Sequence, residues 1–234
     1  MRIKWFVAAI IVLGVVLFTR AEPIGPYLLS NSTDTPDIVT SVLLMNDSKG
    51  RIHTVRFNAT QPDEDWKGYV GNVSGKLVLW DAQNYSLFDW TFSTINGEVY
   101  ATRGDTVTWT TLECANSSHI ATEDAALNHV ATQSDRINNT FSNSTHPAFF
   151  TGSTEFTQDN CSFSVYTYTN NTIEGKAFPE VLIYESTNHN VIYTAILNDS
   201  TAGFDNNLYD FQMIVSEDSS KSANIGYYFY VEVG

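Results

Sequence analysis

The feature that most constrains the fold is a succession of short runs of β-forming residues separated by turns. Residues 77–80 are apolar on both faces of an extended strand, which is typical of a central strand. Residues 86–92 alternate in character, as a strand with one buried face does. Other predicted strands are residues 38–45, 51–58, 98–103, 107–114, 149–152, 162–169, 181–184, 191–197, 209–215 and 227–233. This pattern predicts a mainly β fold, an antiparallel β-sandwich or a jelly-roll-like domain.

One short helical insertion interrupts the β pattern. Ile120, Leu127 and Val130 recur at helical spacing, so we expect a helix over about residues 120–132, resuming across 136–141. Ser117 or Ser118 is the expected N-cap. The insertion lies between the two cysteines of the chain.

The first 21 residues have the pattern of a signal peptide. Arg2 and Lys4 precede an apolar run over residues 5–18, and small residues before the end of the segment favour cleavage after Ala21. The run would span about 21 Å as a helix against about 30 Å of hydrocarbon, so we expect export and no stable membrane span. A retained membrane anchor is the alternative. Residues 22–36 are then a leader or tether, and residues 37–234 form a single β-rich domain.

The chain is acidic, with 12 basic and 26 acidic residues and a formal net charge of −14. Removal of residues 1–21 takes away three cations and no acid, which makes the net charge −17. This charge argues against nucleic acid or an anionic membrane surface as a partner. Solubility in exposed surroundings is the simplest explanation, and cation binding is the more specific one.

Cys114 and Cys161 are the only cysteines. In an exported chain a single pair of cysteines most simply forms one disulfide. Closing the loop between them would stabilise the folded state by about 4 kcal/mol. Two free thiols, one of them catalytic, are the alternative, but no thiol-enzyme motif surrounds either residue.

Asparagine sequons are unusually frequent. Chance at this composition would give about four N-x-S/T sites. The chain has eleven, so we predict N-glycosylation at Asn31, Asn46, Asn58, Asn72, Asn84, Asn116, Asn138, Asn143, Asn160, Asn170 and Asn198. A chain merely rich in Asn, Ser and Thr is the alternative.

Two loops carry enough oxygen ligands for calcium, which prefers clustered carboxylates and carbonyls. The first contains Asp63, Glu64 and Asp65, and the second contains Asp199, Asp205 and Asp210. Neither loop has EF-hand spacing, so solvated acidic turns are the alternative. Calcium is the one cofactor that the sequence suggests.

The sequence has no HExxH, GxSxG, Walker or CxxC motif, so the readily recognised enzyme classes are not indicated. Asp81, Asp89 and Glu98 are the carboxylates that a glycosidase-like hydrolase could use. Most aromatic residues are expected in the core. A set of tyrosines could instead form a stacking platform for sugars: Tyr166, Tyr168, Tyr228 and Tyr230.

Several segments together resemble a largely uncharacterised group of secreted archaeal cell-surface β-proteins. They are GYVGNVSGKLVLWDA, GEVYATR, ALNHV, INNTF, HPAFF, GFDNNLYDFQMIV and YYFYVEV, which cover most of the chain after residue 63. The resemblance implies an archaeal surface protein and supplies no catalytic residue.

From these features we expect a non-enzymatic, extracellular, N-glycosylated structural or adhesive protein that partners with itself, other surface proteins or glycans. It would be a candidate filament subunit in which residues 38–45 complete the sheet of a neighbour by strand addition. A carbohydrate-binding module and a secreted hydrolase are the alternatives.

Overall fold

A computed structural model describes residues 22–35, 49–57, 60–172 and 176–234 of the chain. The elements in these residues follow in chain order. They are β1 (Trp66–Gly71), β2 (Lys76–Trp80), β3 (Ser86–Thr91), β4 (Gly97–Thr102), β5 (Leu112–Cys114), α1 (Ser117–Ala126), α2 (Ile137–Thr140), β6 (Phe149–Thr151), β7 (Thr154–Phe156), β8 (Ser164–Tyr166), β9 (Pro179–Glu185), β10 (Asn190–Ile196), β11 (Thr201–Ala202), β12 (Leu208–Tyr209), β13 (Phe211–Ser216) and β14 (Tyr228–Val233).

The largest sheet has six antiparallel strands with β9 and β10 at its centre. Its order is β14-β4-β10-β9-β5, and the short strand β8 also pairs with β9. Strands β9 and β10 are buried along nearly their whole length. Their sequences are almost continuously apolar and β-branched, as expected of strands covered on both faces.

One face of this sheet is covered by the antiparallel ribbon β1–β13 and by the two helices. Met213 and Val215 of β13 pack into the same core as Leu182 and Tyr193 of the central strands. The helical insertion completes this core with Ile120, Leu127, Ile137 and Phe141. Each of these side chains has little or no exposed surface.

The opposite face is covered by the hairpin β6–β7 and by the irregular segment of residues 103–111. Phe149 and Phe156 of the hairpin stack at 4.8 Å and pack with Val181 and Ile183 of β9. The protein is therefore a mainly β, antiparallel, sandwich-like domain with a small helical insertion, and the predicted fold class is confirmed.

The helical insertion differs in detail from its prediction. Helix α1 begins one turn earlier than expected and ends at Ala126, and its N-cap is Asn116 and not Ser117 or Ser118. The Asn116 side-chain oxygen accepts hydrogen bonds from the backbone N–H groups of Ser118 and His119 at 2.9 and 3.1 Å. Chain direction then changes before α2, where the Asp124 carboxylate accepts from the first backbone N–H of the helix at 2.9 Å.

Three strand predictions were wrong. Residues 77–80 do not form a central strand, because β2 pairs with β3 in a separate two-stranded ribbon. Residues 107–111 are irregular, and Trp109 is buried in a turn against Tyr100 and Tyr230. Residues 51–57 do not form a strand. The predicted strand at residues 38–45 and the predicted signal peptide at residues 1–21 lie outside the described residues.

Helices long and apolar enough to cross a bilayer do not occur in residues 22–35, 49–57, 60–172 and 176–234.

The predicted disulfide is confirmed. Cys114 and Cys161 are bonded, with their Cα atoms 5.1 Å apart. Cys114 ends β5 and Cys161 precedes β8, and both short strands lie along the same edge of β9. The bond therefore fastens the two ends of the helical insertion to one edge of the sheet.

We expect the double substitution Cys114→Ser and Cys161→Ser to lower the free energy of unfolding by up to about 4 kcal/mol, because the loop between them gains conformational freedom in the unfolded chain. The midpoint of unfolding in urea measures this change. Chemical reduction of the wild type should lower the midpoint by the same amount. A midpoint that stays within error of the wild type in both cases would contradict this stabilising role.

Candidate functional site

Three carboxylates meet at the end of the β1–β13 ribbon. Oxygen atoms of Asp63, Asp65 and Asp135 all lie within 4.8 Å of one another. Asp63 and Asp65 were predicted as calcium ligands, whereas Asp135 was not. Asp135 follows helix α1 by nine residues in the chain, and only the packing of the insertion on the ribbon brings it to this position.

Asp65 is the most fixed of the three. Its side chain is buried and accepts hydrogen bonds from Ser219 Oγ at 3.0 Å and Gln133 Nε2 at 3.2 Å. Its backbone N–H donates to the Asp63 carboxylate at 2.8 Å. The site is thus built from the loop before β1, the loop after α1 and the loop after β13.

Burial raises the pKa of Asp63, and the negative charges of Asp135 and Asp65 act in the same direction. The hydrogen bond from the Asp65 backbone opposes them. Glu64 takes no part in this cluster, because its carboxylate points outward and forms an ion pair with Lys221. A cation, or a proton shared between two carboxylates, would relieve the repulsion among the three negative charges. The three aspartates and Lys221 line one pocket of about 290 Å³.

The second predicted calcium loop is held together by its own hydrogen bonds. Asp210 is buried and accepts from the backbone N–H groups of Val73 and Ser200 at 2.8 and 2.9 Å. Asp205 accepts from Tyr209 Oη at 3.1 Å and from Asn207, and Asp199 accepts from Ser200 Oγ. Within the described part of the chain, Asp63, Asp65 and Asp135 alone form a carboxylate cluster of metal-binding dimensions. Calcium binding at either loop stays a prediction.

The carboxylates considered for hydrolysis do not share one cleft. Asp81 organises the turn of the β2–β3 hairpin by accepting from the backbone of Gln83 and Tyr85, each at 2.9 Å. Asp89 pairs with Lys76 across the same hairpin at 2.5 Å.

Glu98 is buried in the central sheet opposite Glu232 of β14. Tyr100 Oη lies 3.4 Å from Glu98 and 3.2 Å from Glu232, and burial raises the tyrosine pKa well above its ordinary value. Sequence reasoning did not select Glu232, since only strand pairing places it beside Glu98. Both carboxyls are almost fully enclosed, and the Tyr100 hydroxyl lies between them where β4 pairs with β14.

The β2–β3 hairpin carries an exposed apolar surface. Its register places Leu77 opposite Trp90 and Leu79 opposite Phe88, so these four side chains share one face. Each is 50–58% exposed. Lys76 and Asp89 lie on the other face. We call the set Leu77, Leu79, Phe88 and Trp90 the hairpin face.

An isolated two-stranded hairpin has marginal stability in water. An apolar face of this kind on such a ribbon is typical of a surface that contacts a partner. The alternative of a tyrosine platform is not supported, because Tyr166 is buried while Tyr168 and Tyr228 are about half exposed.

The sequon asparagines are accessible wherever the structure describes them. Asn138 and Asn143 are half-buried, and the other seven described sites are exposed: Asn31, Asn72, Asn84, Asn116, Asn160, Asn170 and Asn198. Asn84 and Asn170 occupy tight turns with positive φ, where an attached glycan would project from the surface. Asn46 and Asn58 lie outside the described residues. Glycosylation at all eleven sites stays a prediction.

Comparisons with protein-family models, with curated proteins and with solved structures find no match to this chain.

Substitution of Asp63 tests the acidic pocket. A carboxyl whose pKa is raised in the folded state stabilises the protein at low pH, and this contribution is lost as pH rises through the folded pKa. We therefore expect Asp63→Asn to unfold at a higher urea concentration than the wild type near neutral pH without calcium, with the difference shrinking toward pH 3. Added calcium should reverse the order if the pocket binds the ion, because only the wild type keeps all three ligands.

The matched control is Glu64→Gln, since Lys221 lowers the pKa of Glu64 and the pH dependence should have the opposite sign. An Asp63→Asn variant that is less stable than the wild type at neutral pH in chelator would contradict the repulsion described above.

The cap of α1 gives a second prediction, independent of glycosylation. In a non-glycosylating host, Asn116→Ala should lower the free energy of unfolding by about 1 kcal/mol, because two backbone N–H groups lose their acceptor. Asn72→Ala, at another exposed sequon, should change it by less than about 0.5 kcal/mol. Equal effects of the two substitutions in urea unfolding would show that Asn116 does not act as a cap.

Proposed function

We propose that this protein is a non-enzymatic, exported and N-glycosylated component of the cell surface, with a structural or adhesive role, and that its copies assemble into an extracellular filament by strand addition. The observation that supports assembly most directly is the outer edge of β14. This edge strand of the six-stranded sheet is covered by the chain's own N-terminal segment at one residue pair in the described structure.

The geometry of that pair shows how the edge can be used. The backbone N–H of Ile24 donates to Val231 O at 3.0 Å, and Val231 N–H donates back to Ile24 O at 2.8 Å. Along a strand, the backbone N–H and C=O groups of every second residue point to the same side. Those of Phe229 and Val233 therefore also point to this outer edge of β14. The chain leaves the edge after Ile24, and Tyr27, Leu28 and Leu29 are exposed. An edge strand that is paired at only one residue leaves backbone groups that can act as a template for a strand from another chain.

Acidity and sequon density support the surface location. A strongly negative, glycan-bearing exterior keeps individual copies soluble and confines association to the few uncharged surfaces. The hairpin face and the β14 edge are surfaces of that kind. The resemblance to secreted archaeal β-proteins favours the same role.

Assembly should depend on the outward N–H of Val233. We expect the exported wild-type chain to form filaments visible by negative-stain microscopy and to sediment as large species at high concentration. Val233→Pro should reduce assembly about tenfold, because proline removes a hydrogen-bond donor from the edge. Val233→Ala is the matched control, since it shortens the same side chain and keeps the N–H. A wild-type chain that stays monomeric at every concentration would overturn the proposal.

Carbohydrate binding is the second candidate function, and the hairpin supports it. Trp80, Phe88 and Trp90 are exposed by 62, 58 and 51%, and flat aromatic rings stack on sugar rings. In a glycan array, Trp80→Ala and Trp90→Ala should then abolish the signals of the wild type, whereas Val233→Pro should leave them unchanged. An array without hits for the wild type would remove this candidate.

A further inference from the structure

The side-chain amide of Gln212 is held in a closed polar site between two layers of the fold. Gln212 belongs to β13 of the ribbon, and only 3% of its surface is exposed. Its Nε2 donates to Thr167 Oγ1 at 3.1 Å and to Tyr168 O at 3.0 Å, and its Oε1 accepts from the backbone N–H of Phe204 at 2.7 Å. Thr167 directly follows β8, a strand of the large sheet. A hydroxyl of the sheet therefore contacts an amide of the ribbon.

These two groups are the reactants of an intramolecular ester. A threonine hydroxyl is a nucleophile, and a glutamine amide contains an acyl carbon that a nucleophile can attack. The acyl carbon Cδ is bonded to Nε2, so it lies at most about 4.4 Å from Thr167 Oγ1. Holding two reactants this close turns a bimolecular step into a unimolecular one. Attack requires the hydroxyl oxygen to move out of the hydrogen-bonding plane and over the face of the amide.

The amide oxygen of Gln212 lies where negative charge would be stabilised. Attack on Cδ moves charge onto Oε1, and a backbone N–H directed at this oxygen acts as an oxyanion-hole donor. The Phe204 N–H has this position, at 2.7 Å. A Cβ on Gly203 would lie 2.4 Å from Tyr209 Cδ2 and 2.7 Å from Gln212 Oε1. The absence of a side chain at residue 203 therefore lets the backbone approach the amide oxygen.

Glu180 is the titratable group that lies close in register to both reactants. It pairs with Val165, two residues before Thr167, and its Oε2 accepts from the backbone N–H of Ile214, two residues after Gln212. Its side chain is fully buried, and burial raises its pKa well above the ordinary value, which favours the protonated form. Its Oε1 has no hydrogen-bond partner among the described residues. A carboxyl of this kind can pass a proton from an oxygen to a nitrogen.

We propose that Thr167 and Gln212 react to form an intramolecular ester that joins the end of β8 to β13. The bond between Thr167 Oγ1 and Gln212 Cδ forms, and the bond between Cδ and Nε2 breaks. The hydroxyl proton passes to Nε2 with Glu180 as its carrier, and the nitrogen leaves as ammonia, so the reaction needs no oxidant or other reactant. Because the site is buried, bulk water has little access to the ester. The reaction takes place within one chain and does not depend on the proposed assembly.

The intact mass of the chain tests this bond. The wild type is produced in a non-glycosylating host, its disulfide is reduced, and its mass is compared with the mass calculated from the sequence. We expect a loss of about 17 Da, the mass of ammonia. A proteolytic digest should contain a linked pair of peptides, one with Thr167 and the other with Gln212. Hydroxylamine, which cleaves esters, should separate this pair.

Four variants identify the reacting groups. Thr167→Val removes the nucleophile and Gln212→Met removes the acyl carbon, so both chains should have the calculated mass. Thr194→Val is the matched control, because Thr194 is buried and its hydroxyl has no hydrogen-bond partner among the described residues. This control should keep the mass loss. Glu180→Gln preserves the side-chain volume and should lower the linked fraction about tenfold in a chain with the wild-type circular dichroism spectrum.

Two results would overturn the ester. The first is a folded wild-type chain that has the calculated mass and gives no linked peptides, which would show that the Gln212 amide only accepts and donates hydrogen bonds. The second is a mass loss that persists in Thr167→Val, which would assign it to ring closure at Asn96–Gly97. A fully linked Glu180→Gln chain would overturn the role of Glu180 as the proton carrier.

Discussion

The double-sided burial of β9 and β10 is the constraint on which the rest of the structure depends. Val181 and Ile183 face one core while Leu182 faces the other, and β10 alternates in the same way through Val191, Ile192 and Tyr193. The β1–β13 ribbon, the two helices and the β6–β7 hairpin all pack in cores that include residues of these two strands. Glu180 of β9 is fully buried, and its carboxylate accepts a hydrogen bond from the backbone N–H of Ile214 at 2.9 Å. This bond connects the central sheet to the β1–β13 ribbon. Burial raises the pKa of this glutamate well above its ordinary value.

The short strands and the disulfide secure the edges of this arrangement. β5 and β8 follow one another along β9, and the bond between Cys114 and Cys161 holds them at the two ends of the helical insertion. The insertion can then deliver Ile120, Leu127 and Phe141 to the core and Asp135 to the acidic pocket. An ion pair between Arg103 and Glu123, with two hydrogen bonds of 2.7 and 2.6 Å, fastens α1 to the end of β4.

The surfaces that lie outside this framework are the ones that suggest a role. The body is acidic, and some of its carboxylates hold loops in place, as Asp81 and Asp210 illustrate. Among the described residues, the hairpin face and the β14 edge lie outside this framework. The proposal of assembly rests on these two surfaces.

The sequence by itself determined the fold class and the disulfide. Alternation and β-branched runs are local properties, and two cysteines allow only one disulfide within the chain. Only the tertiary structure decided which strands are central: residues 77–80 and 181–184 are both apolar on two faces, yet the first forms an exposed hairpin and the second the middle of the sheet. The reason is that burial depends on pairing between residues far apart in the chain. For the same reason the sequence could identify Asp63 and Asp65 as a pair but could not add Asp135, which a distant loop brings to them.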